Sequence, residues 1–400
     1  MQNRSLMDPH GKPTDAYRIF FPLGIVLGAA GVSIWPLYYY GLTEGYSGRA
    51  HALVQSEGFL YAFIAGFLLT AIPRFTGTEP PSLRVQYVLA AMLALCTVAF
   101  EFQYFTLGQT GFVAAHAMLM TLAVRRFRRR QLDPPDTFPL AGLGMISGAL
   151  GALINVALAW NVITPFWDVL GKRLLTEGMV LLLVLGVGGF LGPRLLGFKQ
   201  NPLHALGEGG AKRRVRVSGS VLFYKVAGLS VLLSLIAEYG FGISTMAFLR
   251  AIAVTAVILS TVQPWKVPVM RSTLAWCVWT AHWLVILSIW LVAIFPRYRV
   301  DFLHILFIGG FTLLILAVGT RVTLSHGGHG LAKERGSWPL RIGIATGLIA
   351  MLARVGAPFS GFTYFEHLAL AAVLWIGGIL FWGFHLFRLI HREAQSARGA

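Results

Sequence analysis

Apolar stretches close to the ~20 residues that a membrane helix needs recur along this 400-residue chain, separated by short polar segments. A lipid interior offers no partner for backbone N–H and C=O groups, so spans of this length indicate helices. The alternating ten-residue pattern of membrane strands is absent. The predicted spans are 19–40, 51–73, 86–106, 108–126, 138–160, 174–193, 219–239, 242–262, 273–295, 302–323, 339–357 and 365–387. The pattern therefore predicts an all-α integral membrane protein with about twelve transmembrane helices.

Composition supports this fold class. Hydrophobic residues make up 56% of the chain and charged residues only 12%, against about a quarter charged in soluble domains. Cys96 and Cys277 stand alone inside apolar spans, which leaves no disulfide framework. The polar stretch 1–17 has no cleavage site after it, so we expect 19–40 to be a retained first helix.

The basic residues predict the orientation of the chain. If both termini are cytoplasmic, 25 of the 33 Lys and Arg residues fall in cytoplasmic segments, six in outer segments and two within spans. The net charge of +17 is therefore spread over cytoplasmic loops facing the lipid surface, which argues against nucleic-acid binding. The charge split therefore predicts that both termini lie in the cytoplasm.

No secure internal repeat is evident, and we expect one polytopic domain over residues 1–400. A basic, glycine-rich loop at 194–218 separates six helices at about 19–193 from six at about 219–387. Walker-type phosphate loops and HExxH zinc motifs are absent from the sequence.

Histidines supply the candidate chemistry. With even-numbered helices running from outside to inside, His51, His304 and His367 open helices 2, 10 and 12, and so share the outer edge of the membrane. Intramembrane histidines are costly unless paired or ligating, and neutral imidazole is a common ligand of haem iron and copper. His116 and His282, near mid-depth, are alternative metal ligands. Hydrogen-bonded packing histidines are the competing interpretation for each.

Other charged residues could assist a cofactor at that level. Glu57, Glu101 and Glu177 lie near the outer side as candidates for proton delivery, or each pairs with a polar neighbour. Four arginines near outer helix ends could meet haem propionates, or be ordinary loop residues: Arg49, Arg297, Arg299 and Arg354.

Two runs resemble the signature of the NnrS family. The first is Gly66 to Gly77 (GFLLTAIPRFTG), and the second joins Leu303-His304-Ile305-Leu306 with Thr320 to Gly328. Leu181 to Pro193 and Ala372 to Ile376 are looser matches. The resemblance implies a multi-spanning bacterial inner-membrane protein that contains haem and copper and is associated with denitrification and defence against nitric oxide.

The chain departs from the family pattern in one ligand set. The family's second helix opens with His-x-His-Glu, fifteen residues ahead of the first signature run, and His51 matches the first histidine. Leu53 and Val54 stand where the second histidine and the glutamate would be. We therefore expect b-type haem ligated through His51, with copper binding in doubt.

Analogy with the haem-copper oxidases suggests a ligand pair. Those bundles also have about twelve helices and hold one haem between histidines of helices 2 and 10, the helices that carry His51 and His304 here. A haem protein that meets nitric oxide or another small diatomic is the first hypothesis. A small-solute or metal transporter and a cofactor-free membrane scaffold are the alternatives. Enzymatic activity, oligomeric state and electron donor stay open.

The charge distribution generates a topological prediction. Reporter fusions after residues 130, 210 and 395 should all report the cytoplasm, because each position follows a segment rich in Lys and Arg. A periplasmic signal at any of the three positions would show that the helix count is wrong.

Overall fold

In the computed structural model, the described residues 15–198, 219–327 and 331–396 form helices and connecting turns, with no strand among them. Each predicted span falls on one helix. The helices are α1 Tyr17–Tyr39, α2 Gly48–Thr76, α3 Leu83–Glu101, α4 Phe105–Arg128, α5 Phe138–Ala159, α6 Pro165–Leu195, α7 Gly219–Phe241, α8 Met246–Thr261, α9 Thr273–Ile294, α10 Pro296–His326, α11 Trp338–Gly356 and α12 Tyr364–Ser396.

Eleven segments of the described residues are long and apolar enough to cross a membrane. This confirms the all-α, polytopic membrane fold. The predicted span 242–262 corresponds to α8, whose 16 residues extend about 24 Å at 1.5 Å per residue, less than the ~30 Å hydrocarbon layer. The twelfth crossing and the cytoplasmic location of both termini therefore stay predictions.

The described residues divide into two compact units. Unit 1 holds those up to Asp133 and from Thr312 onward, which comprise α1–α4, the second part of α10, α11 and α12. Unit 2 holds Pro134–Phe311, with α5–α9 and the first part of α10. The single-domain organisation and the division into two sets of six helices stay predictions.

Aromatic side chains fill the interior of unit 1, where α1 packs against α2 and α12. Phe21 of α1 stacks on Phe63 of α2 with ring centroids 4.9 Å apart, and Phe59 meets the edge of Trp375 at 5.2 Å. The indole of Trp382 donates a hydrogen bond to the hydroxyl of Thr320, at 3.0 Å. Burying such rings while satisfying their polar atoms fixes the helices against one another.

Unit 2 contains a helix hairpin, α5–α6, that repeats the α1–α2 hairpin of unit 1 with a spacing of 120 residues. Gly24 of α1 lies against Ala62 and Phe63, and Gly144 of α5 lies against Leu182 and Leu183. Each residue of the first contact therefore has its counterpart in the second contact 120 positions later. The sequence analysis missed this repeat.

Short motifs along α2 and α6 show the same spacing. The shared pairs are Glu57-Gly58 with Glu177-Gly178, Pro73-Arg74 with Pro193-Arg194, and the left-handed glycines Gly77 (φ +65°) with Gly197 (φ +78°) that end the two helices. Only glycine adopts that conformation without strain, which explains its presence after both helix ends. These matched pairs are the signal from which the repeat could have been found.

A π-helical stretch interrupts both repeated helices at the equivalent position. It covers Val54–Leu60 in α2 and Leu174–Val180 in α6, and a third covers Ile305–Thr312 in α10. Every fourth helix thus carries one. A π-helical turn inserts an extra residue into an α-helix and is often found at functional sites, so these three stretches direct attention to the residues within and beside them.

The glycines of α5 generate a stability prediction. A Cβ at Gly144 would lie 2.9 Å from the carbonyl oxygen of Met179 and 3.1 Å from the backbone nitrogen of Leu183, whereas one at Gly142 meets no atom within 4 Å. We expect Gly144→Ala to destabilise the protein by about 1–3 kcal/mol, the usual cost of overpacking. Gly142→Ala is the matched control, and thermal unfolding in detergent is the measurement. Equal unfolding midpoints for the two variants would contradict the tight α5–α6 contact.

Candidate functional site

His51 lies in the first turns of α2, after a helix start at which the Ser47 hydroxyl accepts a hydrogen bond from the backbone N–H of Ala50. The Nδ1–H of His51 donates to the carbonyl of Gly31 on α1, at 2.7 Å. This bond makes Nε2 the ring nitrogen that keeps its lone pair. Backbone carbonyls often orient metal-binding histidines in this way.

Aromatic rings and a cation surround His51. Trp35 of α1 meets its ring edge-on, with centroids 5.4 Å apart, and Arg354 at the end of α11 interacts with it electrostatically. Gly31 has no side chain to separate the helices, which lets α1 approach Val54 and Gln55 closely. We call Gly31, Trp35, His51 and Arg354 the His51 site.

His367 lies at the same end of unit 1. Tyr46 connects the two histidine regions, since its ring contacts Trp35 at 5.1 Å and Phe365 at 5.6 Å, two residues before His367. The Nδ1–H of His367 donates to the Thr363 carbonyl at 2.9 Å. Two of the three predicted haem histidines therefore occupy one end of one unit.

His304, the third of them, belongs to unit 2 and precedes the π-helical stretch of α10. Its Nδ1–H donates to the Val300 carbonyl at 2.7 Å, and its ring meets Phe307 edge-on at 6.0 Å. The predicted pairing of His51 with His304 stays a prediction.

The two histidines predicted near mid-depth have different surroundings. His116 of α4 is buried and hydrogen-bonds through Nδ1 to the hydroxyl of Tyr61, at 3.0 Å. His282 of α9 is buried, donates to the Val278 carbonyl, and faces the glycines Gly188 and Gly192 of α6. Within the described ranges no three His, Cys, Asp or Glu side chains come together as a metal site. Metal binding by His116 or His282 stays a prediction.

Residues of the two signature runs meet at the ends of α2 and α10, within unit 1. The guanidinium of Arg74 contacts the ring of His326 and donates to both carboxylate oxygens of Asp15, at 3.2 and 3.1 Å. Burial opposes ionisation of Asp15, but hydrogen bonding and charge from His326 and Arg74 outweigh it and lower the pKa of Asp15. This ionic group joins the segment before α1 to α2 and α10.

Unit 2 contains a buried ionic group of which the sequence analysis named only two members, Glu177 and Arg299, and did not connect them. Arg250 of α8 lies 2.7 Å from Glu238 of α7 and 3.5 Å from Glu177 of α6. Arg173 approaches Glu177 to 3.3 Å, and Arg299 of α10 pairs with Glu238. We call these five residues the Arg250 cluster. Its signal in the sequence was the presence of charged residues inside apolar spans, which rarely occurs without a partner or a function.

Unit 1 has polar contacts between α2 and α4 instead. The side-chain amide of Gln109 donates to both oxygens of Glu57, at 3.1 and 3.2 Å. One turn further along α2, Tyr61 meets His116. All four side chains are buried. Sequence reasoning named Glu57 and His116 but missed Gln109 and Tyr61, because only packing shows which side chains of α2 and α4 face each other.

The Arg250 cluster generates a stability prediction. Arg250→Ala would leave Glu177 and Glu238 buried with less compensation, which typically costs about 3–5 kcal/mol. Lys172→Ala on α6 is the matched control, since its pair with Asp168 is partly exposed (36% and 31% of the two side chains) and is worth at most about 1 kcal/mol. Denaturant unfolding in detergent measures both. If Arg250→Ala were as stable as Lys172→Ala, the cluster would contribute little to the fold.

Comparison with known proteins places the chain in a family. The family model described as NnrS protein matches residues 14–393, nearly the whole chain. Curated proteins give no match. The match covers both units, the His51 site and the Arg250 cluster, and it confirms the resemblance carried by the two signature runs. The chain belongs to the NnrS family.

Proposed function

We propose that this protein is a haem-binding protein of the bacterial inner membrane that acts in the response to nitric oxide, or in redox chemistry linked to denitrification. Family membership supports the general role. The single observation that carries the haem proposal is the Gly31 carbonyl, which accepts the Nδ1–H of His51 and so presents Nε2 as a ligand.

The residues at the His51 site fit a haem group. Iron in haem needs one or two axial ligands, an apolar or aromatic pocket, and cations near the propionates. Within unit 1, His51 supplies an oriented imidazole, Trp35 and Tyr46 supply aromatic surface, and Arg354 supplies a cation. His51 and Trp35 would contact the group, and Arg354 would compensate its negative charge.

Copper does not fit the same place. Leu53 and Val54, which replace the family's second histidine and glutamate, are apolar and buried. Copper sites in proteins combine several nitrogen or sulfur ligands, and the described residues bring no three His, Cys, Asp or Glu side chains together. The copper expected from the family pattern is therefore not part of our proposal.

When bound, haem would supply an iron centre that binds a small diatomic molecule or transfers electrons, depending on whether one histidine or two hold it. His367 and His304 are the candidates for a second ligand. His367 shares one end of unit 1 with His51. His304 is supported by the analogy with the haem-copper oxidases and by its place in the second signature run. The variants below distinguish them.

Alanine variants test the ligand assignment. His51→Ala should remove most of the haem or shift its Soret band, because it deletes the oriented imidazole. If His304→Ala or His367→Ala has a similar effect, the histidine replaced in that variant is the second ligand. Haem content and absorption spectra of the detergent-purified proteins are the measurements.

His385→Ala is the matched control. His385 lies on α12 like His367 and makes the same kind of bond from Nδ1 to a backbone carbonyl, but 18 residues further on, about 27 Å along a helix. It should keep the wild-type spectrum. Full haem content in all three test variants would refute the ligand assignment, and a haem-free wild-type protein would refute the proposed function and favour a transporter or a scaffold.

A further inference from the structure

The 120-residue repeat places two glutamates at equivalent positions of the two hairpins. Glu57 and Glu177 are each the fourth residue of a π-helical stretch, each is followed by glycine, and neither is exposed to solvent. Because the hairpins around them pack in the same way, a difference between the two carboxyl groups must come from the side chains that face them.

Glu177 faces cations. Its carboxyl oxygens lie 3.3 Å from a guanidinium nitrogen of Arg173 and 3.5 Å from one of Arg250. Two positive charges at this distance compensate the charge of a carboxylate in a medium that solvates it poorly. The surroundings of Glu177 therefore favour the ionised form.

Glu57 faces groups of another kind. The amide of Gln109 donates to both of its oxygens. Titratable groups on the helices around it include Tyr61 on α2 itself, Cys96 on α3 and His116 on α4, and Leu27 packs from α1. An amide provides a hydrogen bond but no full charge to offset that of a carboxylate.

Two buried side-chain oxygens beside Glu57 can each accept a hydrogen bond. Among the described residues, the side-chain oxygen of Gln109 and the hydroxyl oxygen of Thr97 are buried and have no hydrogen-bond partner, and Thr97 packs against Gly58, next to Glu57. A carboxylic acid, unlike a carboxylate, has an O–H to donate. An acid and a primary amide can exchange two hydrogen bonds, in which the amide N–H donates to the acid carbonyl and the acid O–H donates to the amide oxygen.

We propose that Glu57 is a proton-binding site in the membrane interior of unit 1, protonated at neutral pH, whereas Glu177 is a permanent carboxylate that binds arginines. Neutralising a carboxyl group by a proton avoids the cost of a charge among membrane helices. The ligand of this site is a proton. Glu57 follows His51 by six residues on α2, about 9 Å along the helix axis, so reductive chemistry near His51 would have a proton store within the same helix. The inference itself does not depend on haem.

Infrared spectroscopy of the full-length protein in lipid nanodiscs tests the proposal. Removing a protonated carboxyl group deletes an acid C=O band, whereas removing an ionised one deletes carboxylate bands. The difference between wild type and Glu57→Gln should show the loss of an acid band at pH 7. The difference between wild type and Glu177→Gln, the matched control, should show the loss of carboxylate bands. Loss of carboxylate bands in Glu57→Gln would overturn the proposal.

A second measurement needs no variant and so does not depend on how Glu177→Gln folds. Dicyclohexylcarbodiimide adds to protonated carboxyl groups in apolar surroundings, and the adducts can be located by mass spectrometry. In wild-type protein we expect the adduct on Glu57 to exceed that on Glu177 by at least about tenfold, a ratio equivalent to ~1.4 kcal/mol. Labelling of Glu177 equal to or above that of Glu57, including the absence of label at both, would overturn the proposal.

Discussion

A membrane interior contains almost no water, so each polar group placed there must find its partner within the protein. Helices satisfy the backbone, but side chains need a specific neighbour. The fully buried guanidinium of Arg250 can be accommodated because Glu177 and Glu238 approach it from two other helices. The same constraint explains why the indole of Trp382 binds a threonine hydroxyl and why Gln109 turns its amide toward Glu57. These pairings fix which faces of the helices meet.

Close packing supplies the second part of the architecture. Glycines on α1 and α5 let the following helix approach until its side chains or backbone contact the glycine directly. Small residues at such positions permit the short distances on which association of membrane helices depends. The shared 120-residue spacing of these glycines and of their contacts shows that the chain uses one hairpin design twice. The side chains that differ between the copies, such as those facing Glu57 and Glu177, give each copy its own chemistry.

The two ends of unit 1 have different character. One end carries His51, His367 and a group of aromatic rings, with Arg354 nearby. The other carries the ionic group of Asp15, Arg74 and His326, which ties the signature runs of α2 and α10 together. The aromatic end is the place where we propose that haem binds. The ionic end joins three segments of the chain, which indicates a structural role for these signature residues.

Much of this protein could be predicted from its sequence, because hydrophobic length and the cost of exposing backbone in lipid act locally. The run of apolar segments predicted where the twelve long helices of the described residues lie, and the two signature runs indicated the family that the match over residues 14–393 confirms. The sequence also singled out His51 and Glu57 as polar residues in apolar surroundings. It could not show that Gln109 faces Glu57, 52 positions away, or that Arg250 contacts both Glu238 on α7 and Glu177 on α6. Such contacts are decided by how separate helices pack. The π-helical stretches and the repeated hairpin became visible only in the tertiary structure. The two copies of the hairpin share their helix packing, whereas their sequences share only scattered glycines and short pairs of residues.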